Sequence, residues 1–504
     1  MSKDPEVEMK DVELNEVDQE KQPMTAVEAG NGDGISPTAA EKNGSVKVKM
    51  DEEEVKFTGL SKEELLKVAG TPGWVRTRWA LLVLFWLGWL GMLAGAIGII
   101  IQAPRCKPLP KMNWWNKGPL YQVGNVAAFT EEKTLQGLTK KIDYLSDLKV
   151  KGLILGPIHT SKANQPQSLS FTEIEPSLGT MDHFKNLIKT AHKKSISVVL
   201  DLTPNYKGHE PWFANGTVTD VAEKLKPALV FWLKEHEVDG VRLSGVERLL
   251  NVTPSQWADF RAIVQNFTTD DKTRALFGVT DKTSAVDVAA LQNRSGVDLL
   301  MSGVLRAALG SEDLAPTIQH LYSSQNQTSL AWSLSDRAHG HLASLGPALL
   351  RPHLLLLLTL PGTPILNYGD EIGLEDTQDK VTRMLWDLKN STEKEMPQTL
   401  EFFQQLSDLR GKERSLQHGG FRILHNSTSC LAFLRQWDQS TVFLSALNWG
   451  TESVALRLAP PIPAWATVTM ATDPTVFLKG SSVKLDSLQL GAGQALLLQY
   501  PYSA

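Results

Sequence analysis

The side chains best placed for chemistry in this sequence are two thiols and a set of asparagines. Cys106 and Cys430 are the only cysteines among 504 residues, which excludes a small disulfide-stapled fold. Cys106 lies in Ala103-Pro104-Arg105-Cys106-Lys107-Pro108, five residues past the end of a long apolar run. A thiol in such a proline-flanked stalk is well placed to reach another chain; a pair with Cys430 and a free thiol are the alternatives. Asn215, Asn251, Asn266, Asn293, Asn326, Asn390 and Asn426 each open an N-x-[ST] sequon, and only Asn43 does so before the apolar run. Seven sequons on one side favour a lumenal or extracellular C-terminal part with a cytoplasmic N-terminal tail. The Val-Thr-Pro that follows Asn251 disfavours its use.

The element that positions these groups is the run from Trp79 to Ile101, 23 residues without a charge. A bilayer core takes about 20 apolar residues in helical form. The run is too long and too far into the chain for a cleaved signal peptide. It predicts a single transmembrane helix with its flank over 74–102, followed by a stalk at 103–112. One helix cannot enclose a solute path, because transporter sites are built between several helices. Lysines and arginines flank both ends (Lys62, Lys67, Arg76 and Arg78 before; Arg105, Lys107, Lys111 and Lys117 after), so charge does not set orientation. Gly88, Gly91, Gly95 and Gly98 fall on one helical face, and small residues let a second helix approach closely in lipid. The alternative is that glycine is simply common in membrane helices.

Residues 1–73 form the tail. Up to residue 78 there are 17 acidic against 11 basic residues, a net of −6, and almost no aromatics. That composition predicts disorder, apart from a short helix near 61–69 opened by the capping box Ser61-Lys62-Glu63-Glu64. The whole chain carries −5 with no basic block, which argues against nucleic acid as a partner.

Beyond Trp114 short apolar runs alternate with helical segments. Lys151–Pro157, Ile196–Asp201 and Asp239–Leu243 read as strands; Met181–Lys194 and Val221–Glu235 read as helices. Such alternation predicts parallel βαβ units, and the length suits a (β/α)8 TIM barrel over 113–415. From about Gln417 the texture becomes short β runs, which predicts a separate antiparallel β-sandwich over 416–504.

These segments resemble the α-amylase glycoside hydrolases. Trp115 with Leu120-Tyr121-Gln122, Gly156-Pro157-Ile158, Phe171 to Asp182, Val198 to Tyr206 and, above all, Leu360-Pro361-Gly362-Thr363-Pro364-Ile365-Leu366-Asn367-Tyr368-Gly369-Asp370-Glu371-Ile372-Gly373 carry the resemblance. It implies the same barrel, but the short stretch from Tyr206 to Val238 leaves no room for that family's inserted domain. Retaining glycosidases need a carboxylate nucleophile and a carboxylic general acid. The resemblance places the nucleophile at Ser244, two after Arg242, and the general acid at Val279. Asp336 keeps the family's third carboxylate, Asp201 and Asn205 survive, and Tyr206 stands where the family has a sugar-binding histidine. The expectation is therefore no catalysis, no metal and no cofactor, with Asp201, Arg242 and Asp336 kept as an Arg–Asp network closing the barrel top. A membrane-anchored α-glucosidase is the competing expectation, and it requires a carboxylate such as Glu247 over the barrel mouth.

Phe57 to Gly70 and Pro72-Gly73-Trp74-Val75-Arg76, joined to one membrane helix and an emptied barrel, are similar to the heavy chains of heteromeric amino-acid transporters. The resemblance implies a type II protein of the plasma membrane. It implies a disulfide from Cys106 to a multi-helix light chain that performs transport, which the heavy chain stabilises and brings to the surface. It also implies association with integrin β subunits.

Overall fold

A computed structural model describes residues 61–102, 107–337, 339–377, 382–387, 395–458 and 461–503. The expectations for residues 1–60, for Cys106 and for Asn390 lie outside the described residues. The chain divides into two units, 1–103 and 104–504.

In the first unit Ser61 caps a helix over Lys62–Ala69. The Glu64 amide donates to Ser61 Oγ at 3.4 Å and the Ser61 amide to Glu64 Oε2 at 3.2 Å, the reciprocal box that the spacing predicts. A helix of 31 residues follows, Pro72–Gln102. It starts at Pro72, ahead of the expected Trp74, because proline's fixed φ and missing N–H suit a first helical turn. At ~1.5 Å per residue it is about 46 Å long, enough for a bilayer core and its interfaces. Its mean hydropathy is 2.1 over the most apolar window. A Cβ built on Gly88, Gly91, Gly95 or Gly98 meets nothing within 4 Å, so the stripe is an open surface of the helix.

The second unit begins as a tied segment. The Lys107 amide donates to Asp438 Oδ2 at 2.8 Å, and its ammonium lies 4.8 Å from the Trp437 ring centre. Eight parallel strands follow: β1 Leu120–Val123, β2 Gly152–Leu155, β3 Ser197–Asp201, β4 Gly240–Ser244, β5 Ala275–Thr280, β6 Leu299–Ser302, β7 Ala331–Ser333 and β8 Thr363–Asn367. Their ladder runs β6-β5-β4-β3-β2-β1-β8-β7. Beside the remaining seam, between β6 and β7, Arg306 Nη1 donates to Leu334 O at 2.9 Å.

Alternation along each strand sorts the side chains. Leu120, Ile154, Val199, Ala275, Phe277, Leu299 and Ile365 fill the barrel interior with Trp115. Tyr121, Leu153, Leu155, Val198, Leu200, Val241 and Leu243 point outward into the core shared with the helices. Gly240 is required by close approach, since a Cβ there would lie 2.6 Å from Ala275 O.

The C-terminal region matches its expectation and adds strands that the sequence hid. Its main sheet has the order Gly420–Asn426, Cys430–Gln436, Val442–Asn448, Ala495–Tyr500, Trp465–Ala471, Ser482–Lys484; a second pair joins Val454–Leu456 to Leu488–Leu490. The main sheet is apolar on both faces. Leu431, Phe433, Phe443, Leu447 and Leu497 join the barrel's outer core, while Cys430, Ala432, Leu434, Leu444 and Leu498 pack against Leu456, Leu488 and Leu490. Cys430 is a buried thiol whose burial pushes its pKa up to about 11, which disfavours the reactive thiolate.

Two fully buried arginines meet at this boundary, Arg410 from the helix Glu395–Lys412 of the barrel and Arg435 from the sheet, and Arg435 alone reaches from the sheet to the barrel. Arg410 donates to the carbonyls of Leu358, Leu360 and Gly362; Arg435 donates to Thr359 O at 2.8 Å and Gly419 O at 3.0 Å.

Candidate functional site

The C-terminal ends of the strands enclose a cavity of about 340 Å³, the place where barrels of this kind hold ligands. Ser244 closes β4 opposite Val279 of β5, and both line the cavity with Asp201, Arg242 and Asp336. The candidate positions named from the sequence are thus brought together.

Their bonding is a closed set. Arg242 Nη1 donates to Asp201 Oδ2 at 2.6 Å, with both residues buried. The Thr203 amide donates to Asp201 Oδ1 at 2.9 Å, and the Thr203 hydroxyl lies 2.6 Å from that oxygen and 3.0 Å from Ser244 Oγ. Asp336 sits outside strand β7, on the turn that follows, and is engaged by His339, whose ring Nδ1 is 2.9 Å from its carboxylate oxygens. That hydrogen bond raises the His339 pKa above its ordinary value. Asp201 with Arg242 is thus a buried Arg–Asp pair of the mouth, and Asp336 with His339 a half-exposed one at its rim.

Asn205 and Tyr206 hold loops. Asn205 Nδ2 donates to Glu210 O at 2.7 Å and Asn164 Oδ1 at 3.0 Å, tying a β-hairpin (His159–Lys162 with Gln165–Ile174) over the mouth. The Tyr206 hydroxyl donates to His159 O at 2.9 Å. Burial lowers the His159 pKa to about 4, so its ring is neutral at physiological pH. Glu247 lines a neighbouring groove rather than the cavity, with Lys282 Nζ at 3.5 Å.

Sequence reasoning missed Asp281, Arg337 and His339, which also line the cavity. The available signal for Asp281 was its place immediately after the Ala275–Thr280 strand. Among the described residues no cluster of His, Cys, Asp and Glu could hold a metal ion.

The Asp370-Glu371 pair, prominent in the sequence, lies behind the mouth rather than in it. Asp370 accepts from the amides of Asn367 at 2.9 Å and Leu342 at 2.8 Å and from the Ser335 hydroxyl. Glu371 Oε1 accepts from Tyr121 at 2.8 Å and Tyr144 at 2.7 Å, while Oε2 is buried without a partner. Burial raises Glu371 to about 7 and Asp370 to about 6. A carboxyl with a raised folded pKa contributes stability that is fully present below its unfolded pKa, roughly 4.3 for Glu, and is lost as pH rises through the folded value. Glu371→Gln is therefore expected to flatten the fall in melting temperature between pH 5.5 and 8. A gain on the order of 2 kcal/mol over the parent at pH 8 follows from about 1.4 kcal/mol per pKa unit. Parallel melting curves for parent and variant across that range would contradict it.

Among the sequons, Asn251, Asn266, Asn293, Asn326 and Asn426 are exposed, and Asn215 opens the 3₁₀ turn Asn215–Thr217.

Residues 45–121 match the family described as solute carrier family 3 member 2 N-terminus, and residues 130–219 match the alpha amylase catalytic domain. The amino acid transporter heavy chain SLC3A2 of Oryctolagus cuniculus is 43% identical, with all of both chains covered. The heavy chain SLC3A1 of Rattus norvegicus is 24% identical over 88% of this chain and 86% of its own. The alpha-amylase of Geobacillus thermoleovorans, solved with acarbose, superposes with a TM-score of 0.62 at 20% identity, covering 77% of this chain and 99% of its own. At that identity the likeness establishes the fold alone.

Proposed function

Because the chain belongs to the amino acid transporter heavy-chain family of SLC3A2, we propose that it is the non-catalytic heavy subunit of a heteromeric amino-acid transporter. In this reading Cys106 forms a disulfide with a multi-helix light chain. The light chain carries the substrate path, and the heavy chain stabilises it and brings it to the plasma membrane. The orientation is type II, with the sequon-bearing barrel outside and the tail in the cytoplasm. Integrin β subunits are further partners implied by the family likeness.

The observation that carries the reading is full-length identity to a heavy chain combined with a mouth that ends in Ser244 and Val279. A glycosidase must present a nucleophile and a proton donor to one glycosidic oxygen. Serine beside Thr203 has no base to activate it, and valine has no proton to give. Asp201 is neutralised by Arg242, and Asp336 is shared with His339.

The direct test is hydrolysis of a chromogenic α-glucoside by the purified full chain. Release is expected to equal that of the Asp336→Ala variant. Turnover well above that background would instead favour the membrane-anchored α-glucosidase, with Asp281 and Asp336 as its nearest carboxylates.

A further inference from the structure

The helix Met181–Lys193 buries Phe184, Leu187, Ile188 and Ala191 in the outer core of the barrel. Beside that face Lys185, Lys189 and Lys193 follow one another at steps of four, so their exposed side chains form a row about 12 Å long. The row stands apart from the lysines around it. Lys194 binds Asp143 at 2.6 Å, Lys207 binds Glu175 at 2.8 Å, Lys226 binds Asp259 at 2.6 Å and Lys272 binds Glu237 at 3.3 Å. Among the described residues none of Lys185, Lys189 and Lys193 has an ion-pair partner.

The row is one wall of an open groove of about 620 Å³. Glu235, at the end of the π-helical turn Phe231–Glu235, forms the other wall with His236 and Glu237. The charges of the groove do not cancel. Glu237 is taken up by Lys272, and His192 by Asp239, with Nε2 2.6 Å from Oδ2. Burial and the nearby Lys185 hold His236 below its ordinary pKa, so its ring is neutral at physiological pH. Three ammoniums remain against the single carboxylate of Glu235. Like charges four residues apart destabilise a helix, so an anion with repeated charges is favoured along the row.

We propose that this groove binds a sulfated glycosaminoglycan, its chain lying along Lys185, Lys189 and Lys193. A linear polyanion meets all three ammoniums at once, and the counterions released make the binding salt-dependent. The proposal rests on the extracellular orientation argued above. On that side sulfated sugars supply the repeated anions, because the anionic lipids that a lysine row could also hold are concentrated in the cytoplasmic leaflet. Glu235 opposes the binding, which gives the groove a signature that bulk charge lacks: loss of this one carboxylate strengthens it.

The test titrates the purified full chain, held in neutral-lipid nanodiscs, with heparin at about 0.15 M ionic strength. Lys185→Gln, Lys189→Gln and Lys193→Gln together are expected to weaken binding about tenfold or more, and Glu235→Gln to tighten it about twofold. The same loss of charge at the exposed Lys117, Lys479 and Lys484 should leave the parent value, and desulfated heparin should not bind. Amine acetylation of the parent, read by peptide mass spectrometry, needs no variant. Heparin should protect Lys185, Lys189 and Lys193 about threefold and leave Lys479 and Lys484 as they were. Binding that the control triple weakens equally overturns the proposal, as does a row that heparin leaves unprotected. So does a row that holds phosphatidylserine vesicles but not heparin, which assigns the groove to lipid. A membrane-impermeant amine reagent applied to intact cells reads the orientation separately. Barrel labelling only after permeabilisation overturns both readings, whereas heparin failing on a surface-labelled chain overturns the proposal alone.

Discussion

Cys106→Ser is expected to abolish the covalent heavy-chain–light-chain band on non-reducing electrophoresis while reducing surface transport only in part. The tie is a single bond next to an anchored backbone, since Lys107 is fixed by its amide to Asp438 and by its ammonium over Trp437. Such a tie makes the remaining contacts intramolecular. At an effective concentration on the order of 1 mM, an interface with a Kd of about 10 µM stays roughly 99% engaged. Without the bond, engagement falls to what the helix and ectodomain contacts give at the density of the membrane. In the proposed heterodimer the glycine stripe would supply one such contact, because Gly91 and Gly95 leave the helix surface open. In the Cys106→Ser background, Gly91→Leu with Gly95→Leu should further lower co-purification of the light chain in mild detergent. Two results would break this division of labour. Transport lost completely with Cys106→Ser alone would make the bond indispensable. Unchanged co-purification of the triple variant would turn the glycines toward lipid.

Which parts were legible in the sequence follows from how local each signal is. The long apolar helix was legible because its 23 residues from Trp79 to Ile101 carry no charge, and the Ser61 box because its two bonds span three residues. Strands β2 to β4 stood out as apolar runs bounded by helices. Strands such as Ser482–Lys484 and Leu488–Leu490 were hidden, being three residues long and paired with strands distant in the chain.

The mouth divided in the same way. Ser244 and Val279 could be named together because strand register carries them, and they pair across β4 and β5. The pairing of Asp336 with His339 was not legible, because the turn that carries both leaves no periodic trace. The most specific motif of all, Leu360 to Gly373, is structural. Gly362 has φ +106 and a Cβ there would lie 2.8 Å from Leu330 O; Asp370 pins the Asn367 and Leu342 amides; Glu371 binds two tyrosines. What keeps this motif in place is its work in holding up the barrel, which does not depend on the residues at the mouth.

That same motif leads to the largest expected loss of stability. Helix Leu350–Thr359 ends buried, and the carbonyls at its end have no water to meet. The Leu360 amide donates to Leu356 O and the Thr359 hydroxyl to Leu355 O, while Leu358 O and Thr359 O fall to the two arginines. Arg410 serves Leu358, Leu360 and Gly362, and Arg435 serves Thr359 and, beyond the helix, Gly419. A cation suits the negative end of the helix dipole, yet burial is costly: it lowers the Arg410 pKa to about 10 and holds that of Arg435 well below the ordinary arginine range, with Arg410's charge adding to the effect. The pair persists because each buried carbonyl left unmade costs about 1–3 kcal/mol. Arg410→Leu strands three of them and should cost at least about 3 kcal/mol. Arg435→Leu strands two and should cost roughly 2 kcal/mol or more. Arg410→Lys should rescue little, since an ammonium on a flexible stem cannot reproduce the guanidinium's planar fork toward three fixed carbonyls. The double variant should cost more than the sum of the singles, because each single removal already relieves the repulsion between the charges and the double can relieve it only once. Urea unfolding of the purified chain, read by tryptophan fluorescence, measures all four. Single variants within 0.5 kcal/mol of the parent (about the noise for an ordinary surface change) would show that water reaches these carbonyls and that Arg435 is not what joins the β domain to the barrel.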